Sequence, residues 1–288
     1  MAANDLLEHD SETDTFELKP GMAEALADDF TLAIAGAVQA GYANHEKMVA
    51  AYRNGGGIPW GDNHPVLFGC TCRFFKPLYE GALLPNLPDT IRAKLDGGGK
   101  LCDIGCGEGV SALILGEAFP ASTIVGIDYF EPSITAAQAK AQAKGITNVS
   151  FETGGGDTGG GEDGAYDIVT FYDCFHDMSV ASAAAKNAFR LLKPGGEVML
   201  IEPLSSEEDT VAAQLSMPTC GLYSCMSCHI CLPCGMVDGG DAMGMVAPTA
   251  VHRKHFIAAG FSSLDSIASP INEMGFRMLI AEKKLAKS

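Results

Sequence analysis

From Gly99 onward, short apolar runs of strand length alternate with stretches whose apolar residues recur at helical spacing. "KLCDIG" reads as a buried strand, "VSALILGEAF" as a helix, "TIVGIDY" as a strand and "PSITAAQAKAQAKG" as an alanine-rich helix stopped by Gly145. "NVSFET" and "YDIVTFYD" follow as the third and fourth strands, then "VASAAAKNAFRLL" as a helix and "GEVMLIEP" as the fifth strand. Strands that alternate with helices predict a parallel sheet with helices on both faces. At the end of the chain "HRKHFIAAG" predicts a helix. "SSLDSIAS" and "FRMLIAEKK" predict two strands joined through Pro270 to Gly275, a hairpin that adds an antiparallel strand.

Upstream the pattern differs. Residues 21–57 carry apolar positions at helical spacing up to a glycine run, so one or two helices close at Asn54. Residues 58–88 are rich in Pro, Gly and aromatics and read as a connector with a short helix around Phe74 to Tyr79. Residues 204–250 form an insertion with its own Cys- and Met-rich composition. "GGGDTGGG", Gly154 to Gly161, reads as a flexible loop. The predicted domains are a disordered acidic tail (1–20), N-terminal helices with a lid connector (21–95) and an α/β domain (96–288) carrying the 204–250 insertion.

Composition narrows the function. A net charge of -17 repels a phosphate backbone, and no basic run offsets it, so nucleic acid is not an expected partner. The first seventeen residues hold six acids and no Lys or Arg, unlike a signal or transit peptide. No apolar run approaches the roughly 20 residues of a membrane span, so no membrane association is expected. Ten cysteines without a secretory signal predict reduced thiols and a cytoplasmic protein.

"LCDIGCGEG" places a glycine-rich turn after the first strand, where a ligand can lie against bare backbone. A dinucleotide fingerprint needs a third glycine where Val110 stands, and the phosphate-loop pattern is absent. A cationic sulfonium donor without phosphates tolerates the carboxylates of Asp103 and Glu108. Asp128 ends the second strand, where a carboxylate can accept from both ribose hydroxyls, and Asp157 follows the third strand toward an adenine. Asp173 follows the fourth.

"LCDIGCGEG", "VGIDYFEPSI", "YDIVTFYDCFHDM" and "LLKPGGEVMLIEP" together resemble the motifs of class I S-adenosylmethionine-dependent methyltransferases, over residues 95–288. "YRNGGGIPWGDNHPVLFGCTCRFFKPLY" is similar to the lead-in of a mainly bacterial branch with a winged-helix dimerisation domain, here too short for a full winged helix. The resemblance implies a Rossmann-like, seven-stranded, doubly wound sheet with an antiparallel last strand, and S-adenosylmethionine as cofactor. It assigns Asp103, Gly105, Cys106, Gly107, Asp128, Tyr129, Asp157 and Asp173 to the donor, with Arg73 holding a carboxylate. A homodimer is possible in that branch.

"DCFHDM" sets His176 and Asp177 beside the donor as the candidate catalytic pair. His176 is either the base for a hydroxyl or amine acceptor or, with Asp177, a cap for the next helix. His64 and Trp60 sit on the connector, with Phe74 and Phe75 as packing. Cys225, Cys228, Cys231 and Cys234 stand at three-residue steps, which is soft-metal spacing. On an unbroken helix they do not converge, so the reading gives them to the lining of the pocket with no metal. The alternative is a metal or metalloid role for that cluster, as in a sensor or an arsenic-type enzyme. The expected function is methyl transfer to a small soluble acceptor at O, S or N.

Overall fold

The protein is described by a computed structural model over residues 6–284. The first elements are β1 (Leu7–Asp10) and β2 (Thr15–Leu18), an antiparallel hairpin. This corrects the expectation of a disordered tail; residues 1–5 lie outside the described residues. The turn closes locally, because Asp10 Oδ1 accepts from the Glu12 N–H at 2.8 Å and the His9 ring meets Asp14 at 2.9 Å. Helices α1 (Met22–Ala27), α2 (Asp29–Ala43) and α3 (His45–Asn54) follow, the last ending where expected. Next is α4 (Val66–Leu78), longer than the predicted short helix, continued by a π-helical turn, Tyr79–Leu83. Pro65 immediately precedes α4 and Pro77 sits in its last turn, positions that break little of the hydrogen-bond ladder.

After α5 (Asp89–Asp96) come β3 (Lys100–Ile104), α6 (Val110–Ala118), β4 (Thr123–Asp128), α7 (Glu131–Lys144), β5 (Val149–Thr153) and β6 (Tyr166–Tyr172). Then follow α8 (Ala181–Leu191), β7 (Leu192–Pro203) and the insertion helices α9 (Val211–Leu215), α10 (Cys220–Met226) and α11 (Leu232–Gly235). The chain continues through α12 (Thr249–Ala259), β8 (Asp265–Ile267) and β9 (Phe276–Glu282). The seven-stranded sheet has the order β5-β4-β3-β6-β7-β9-β8, and β9 runs antiparallel to both its neighbours. The doubly wound sheet with an antiparallel last strand is as the sequence predicts.

Alternation along the strands feeds two cores. Leu101, Ile124, Ile168, Met199 and Met278 pack with α4 to α7 on one face. Cys102, Val125, Val169, Leu200 and Leu279 pack with α8 and α12 on the other. Full burial of such side chains contributes about 1.5–3 kcal/mol each, so the sheet is a rigid platform. Its order reverses between β3 and β6, which opens a crevice beyond their carboxyl ends. A third cluster, including Ala40, Leu67, Tyr223 and Ile230, joins α2, α4 and the insertion above that crevice.

Candidate active site

At the carboxyl end of β3 the chain turns through Gly105 and Gly107, with φ of 73° and 51°. Gly105 and Cys106 both donate to Ile127 O, which binds the turn to β4 at 2.8 and 3.1 Å. A Cβ on Gly105 would come within 2.8 Å of Cys174 Sγ, whereas one on Gly107 would meet nothing within 4 Å. The turn therefore packs on one side and leaves bare backbone on the other. Asp128 closes it, its two carboxylate oxygens each accepting at 2.9 Å, from Gly107 N–H and Phe130 N–H. Burial pushes the Asp128 pKa up against those two bonds.

The turn opens into a cavity of about 1110 Å³, just above the roughly 300–1,000 Å³ of most small-ligand sites. Its floor is the strand ends and its walls come from α2, α4 and residues 219–238. Seven carboxylates line it, among them Glu108, Asp128, Asp157, Asp173 and Asp177, with no lysine or arginine among the described lining residues. Asp173 is held at a left-handed φ of 52°, and its buried Oδ1 has no hydrogen-bond partner. Burial carries its pKa well above the carboxylate range.

Beside Asp173, the buried His176 ring meets Glu202 through Nδ1 and Oε2 at 2.8 Å. The other Glu202 oxygen accepts from Phe175 N–H at 3.0 Å, and neither Glu202 nor His176 is more than 2% exposed. Burial alone would lower the His176 pKa, but the Glu202 charge outweighs it and holds it well above 6.5. The Glu202 pKa is lowered: burial would raise it, and His176 overcomes that. Behind Glu202 lie His252 Nε2 at 3.5 Å and, directly across β7 and β9, Arg277. Burial raises Asp177 to about 7, partly opposed by His176.

The methyltransferase domain family model matches residues 95–247, more than half of the chain. The chain belongs to that methyltransferase domain family. It is 35% identical over 137 residues to nocamycin O-methyltransferase of Saccharothrix syringae, covering 46% of this chain and 45% of that protein. Over 103 residues it is 32% identical to demethylmenaquinone methyltransferase of Thermus thermophilus, covering 36% and 46%. The chain thus spans about half the length of the curated relatives it matches. Among solved structures, PigF with SAH shares the fold at a TM-score of 0.69 and 16% identity, over 98% of this chain and 82% of that one. NcsB1 from neocarzinostatin biosynthesis, solved with S-adenosyl-L-homocysteine and 1,4-dihydroxy-2-naphthoic acid, gives 0.66 and 16%, over 99% and 82%.

Within this methyltransferase domain, Gly105, Cys106, Gly107, Asp128, Tyr129, Asp157, Asp173, His176 and Asp177 all reach the one cavity. Two expected residues do not. Asp103 is fully buried behind the turn, accepting from Ser111 Oγ at 2.5 Å and Thr170 Oγ1 at 3.0 Å. Arg73 is exposed, on the side of α4 opposite the lining residues Leu67, Thr71 and Phe75, because four-residue spacing keeps those on one face. His64 is also outside the wall, its N–H bonded to Asn44 Oδ1 at 3.1 Å. Trp60 lines the cavity, and its N–H donates to Tyr129 Oη at 2.8 Å. The expected flexible loop is tied down: Asn187 Nδ2 donates to Gly156 O and Gly159 O at 2.9 and 3.0 Å.

The four spaced cysteines separate. Cys225 and Cys228 are exposed and Cys231 and Cys234 buried, so they make no four-thiol cluster. Glu202 is the residue the sequence reading missed. Its signal was a lone carboxylate closing an apolar strand, "VMLIEP", level with the strand ends that carry the other acids.

Proposed function

We propose that the chain transfers the methyl group of S-adenosylmethionine to a hydroxyl of a small, largely apolar acceptor. The observation that carries this is the sign of the cavity, where, among the described residues, seven carboxylates and no lysine or arginine face one space beside a glycine turn. Such a field suits a cation and opposes a nucleotide phosphate. When bound, the donor supplies a methyl group on a cationic sulfonium. Backbone at Gly105–Gly107 lies against it, Asp128 accepts from the ribose hydroxyls, and Asp157 reaches the adenine side. The unpartnered Oδ1 of Asp173 accepts from the donor's ammonium group, which gives a buried carboxylate the partner it lacks. The walls from residues 21–95 and 204–250 hold the acceptor in line with the methyl carbon, and positioning supplies much of the rate.

Once its own second ring proton is lost, His176 takes the acceptor's proton, so the rate should rise with pH toward the raised His176 pKa. Glu202 fixes the ring through Nδ1, which leaves Nε2 for that proton, in the manner of a base oriented by a third group. The O-methyltransferase names of the relatives and the hydroxynaphthoic acid in NcsB1 favour oxygen as the acceptor atom. Isotopically labelled donor incubated with a panel of phenolic acceptors is expected to deliver label to a hydroxyl, read by mass spectrometry. His176→Asn should lower kcat by roughly 10² to 10⁴ with donor affinity unchanged. A variant within a few-fold of wild type would remove the base from this reading.

A further inference from the structure

One ring nitrogen of His176, the carboxylate of Asp177 and the thiol of Cys231 lie within 4.8 Å of one another. These atoms come from two separate elements, the short 3-10 turn Phe175–Asp177 after β6 and the insertion. We propose that this trio is a binding site for a zinc-class divalent cation, open to the cavity at its fourth position. The site is distinct from the four-cysteine motif, whose other members do not join it.

Three features of the structure carry the inference. The first is the donor set. A thiolate, an imidazole and a carboxylate suit a borderline-soft ion, whereas magnesium and calcium favour oxygen alone. Donor atoms around tetrahedral zinc stand about 3.3–3.7 Å apart. Binding therefore needs the three atoms, now within 4.8 Å of one another, to close to that spacing. The second is the support behind the histidine. Nδ1 is committed to buried Glu202 at 2.8 Å, which leaves Nε2 for a cation. A metal-bound histidine characteristically gives its other nitrogen to a carboxylate in this way.

The third is the way the sequence delivers Cys231. The helix that begins at Cys220 widens into a π-helical turn at Ser227–Cys231 before α11. An extra residue in that turn shifts the phase of the helix. Cys231 and Cys234 come out buried, while Cys225 and Cys228 stay exposed. The segment is anchored on both sides. Ile58 N–H donates to Pro233 O at 2.8 Å, Met245 N–H to Ser227 Oγ at 3.1 Å, and Gly244 N–H to His176 O at 2.9 Å. Metal uptake releases to solvent the thiol proton of Cys231 and the second ring proton of His176, whose pKa Glu202 holds up, together with the Asp177 proton where that group is protonated. No electron transfer is involved.

A cation there occupies the nitrogen assigned to the acceptor's proton, so zinc should inhibit methyl transfer. That consequence rests on the proposed function; the site itself does not. The test uses the full chain, stripped of metal with a chelator that is then removed, and titrated with Zn²⁺ by calorimetry and Co²⁺ by absorption. We expect one ion per chain and a sulfur-to-cobalt charge-transfer band. Cys231→Ser and Asp177→Asn should each weaken Zn²⁺ at least tenfold, and Cys228→Ser should leave binding as it is. On the unaltered chain, Zn²⁺ should protect Cys231 but not Cys225 from alkylation, which keeps the test decisive if a variant misfolds. Binding without the charge-transfer band, binding that survives Cys231→Ser, or protection of Cys225 and Cys228 instead would overturn the site. Donor titration in excess chelator is read separately, so a failure of the methyltransferase reading is distinguishable from a failure of the metal site.

Discussion

Asp103 shows how one buried carboxyl group shapes the site without touching it. Burial raises its pKa to about 7, against the hydrogen bonds of Ser111 and Thr170 that lower it. In the unfolded chain the group ionises near 3.8. Between these values the unfolded state has lost a proton that the folded state keeps, so stability falls as pH rises through the window and the full cost is reached above about 7. Asp103→Asn removes that titration. Asp173 and Asp177 titrate in the same sense in both proteins, so urea unfolding at pH 5 and pH 8 should show the variant losing less than wild type between the two, by Asp103's share of on the order of a few kcal/mol. Equal slopes would mean that Asp103 is ionised in the fold. Spacing puts Asp103 beside the turn and suggests a ligand contact, but it does not say which way a side chain in a central strand faces, and here the carboxylate turns inward to Ser111 and Thr170. The same limit hid Glu202, whose partner His176 lies 26 residues upstream and meets it only after β6 and β7 pair.

At the scale of elements, the glycine turn and the helices were legible to different degrees. The strands and their following helices carry strong periods and clear stops such as Gly145, whose φ of 68° is a left-handed helix end. The α4 helix was under-read because Pro65, Gly69 and Pro77 look like punctuation, although both prolines sit at its ends. The hairpin of β1 and β2 was unreadable because Glu8 faces Glu17 across it, a like-charge pair that no pattern rule would favour. The turn itself yields a paired prediction. Gly105→Ala forces a Cβ within 2.8 Å of Cys174 Sγ at a left-handed φ and should cost about 1–3 kcal/mol of stability. Gly107→Ala adds its methyl to open space in the cavity wall, so it should cost only about 1–2 kcal/mol from the backbone and act mainly on donor affinity. Thermal unfolding and donor titration of both variants separate the two effects. A Gly107→Ala protein that binds donor as wild type does would place the ligand elsewhere.

Across the whole molecule, a two-sided core holds four strand ends level, and each end presents backbone or a carboxylate to one cavity that α2, α4 and the insertion enclose. Among the described residues, no helix is long and apolar enough to cross a membrane. The central claim is that this acidic space holds a cationic adenosyl donor, and calorimetric titration of S-adenosylmethionine and S-adenosylhomocysteine tests it most directly. Both share the ribose, so Asp128→Ala should weaken them together by roughly 1.5–3 kcal/mol, while a phosphate-bearing dinucleotide such as NAD should not bind the unaltered chain. One donor site per chain with that common loss is the predicted result; unchanged affinities in Asp128→Ala, or a preference for NAD, would contradict it.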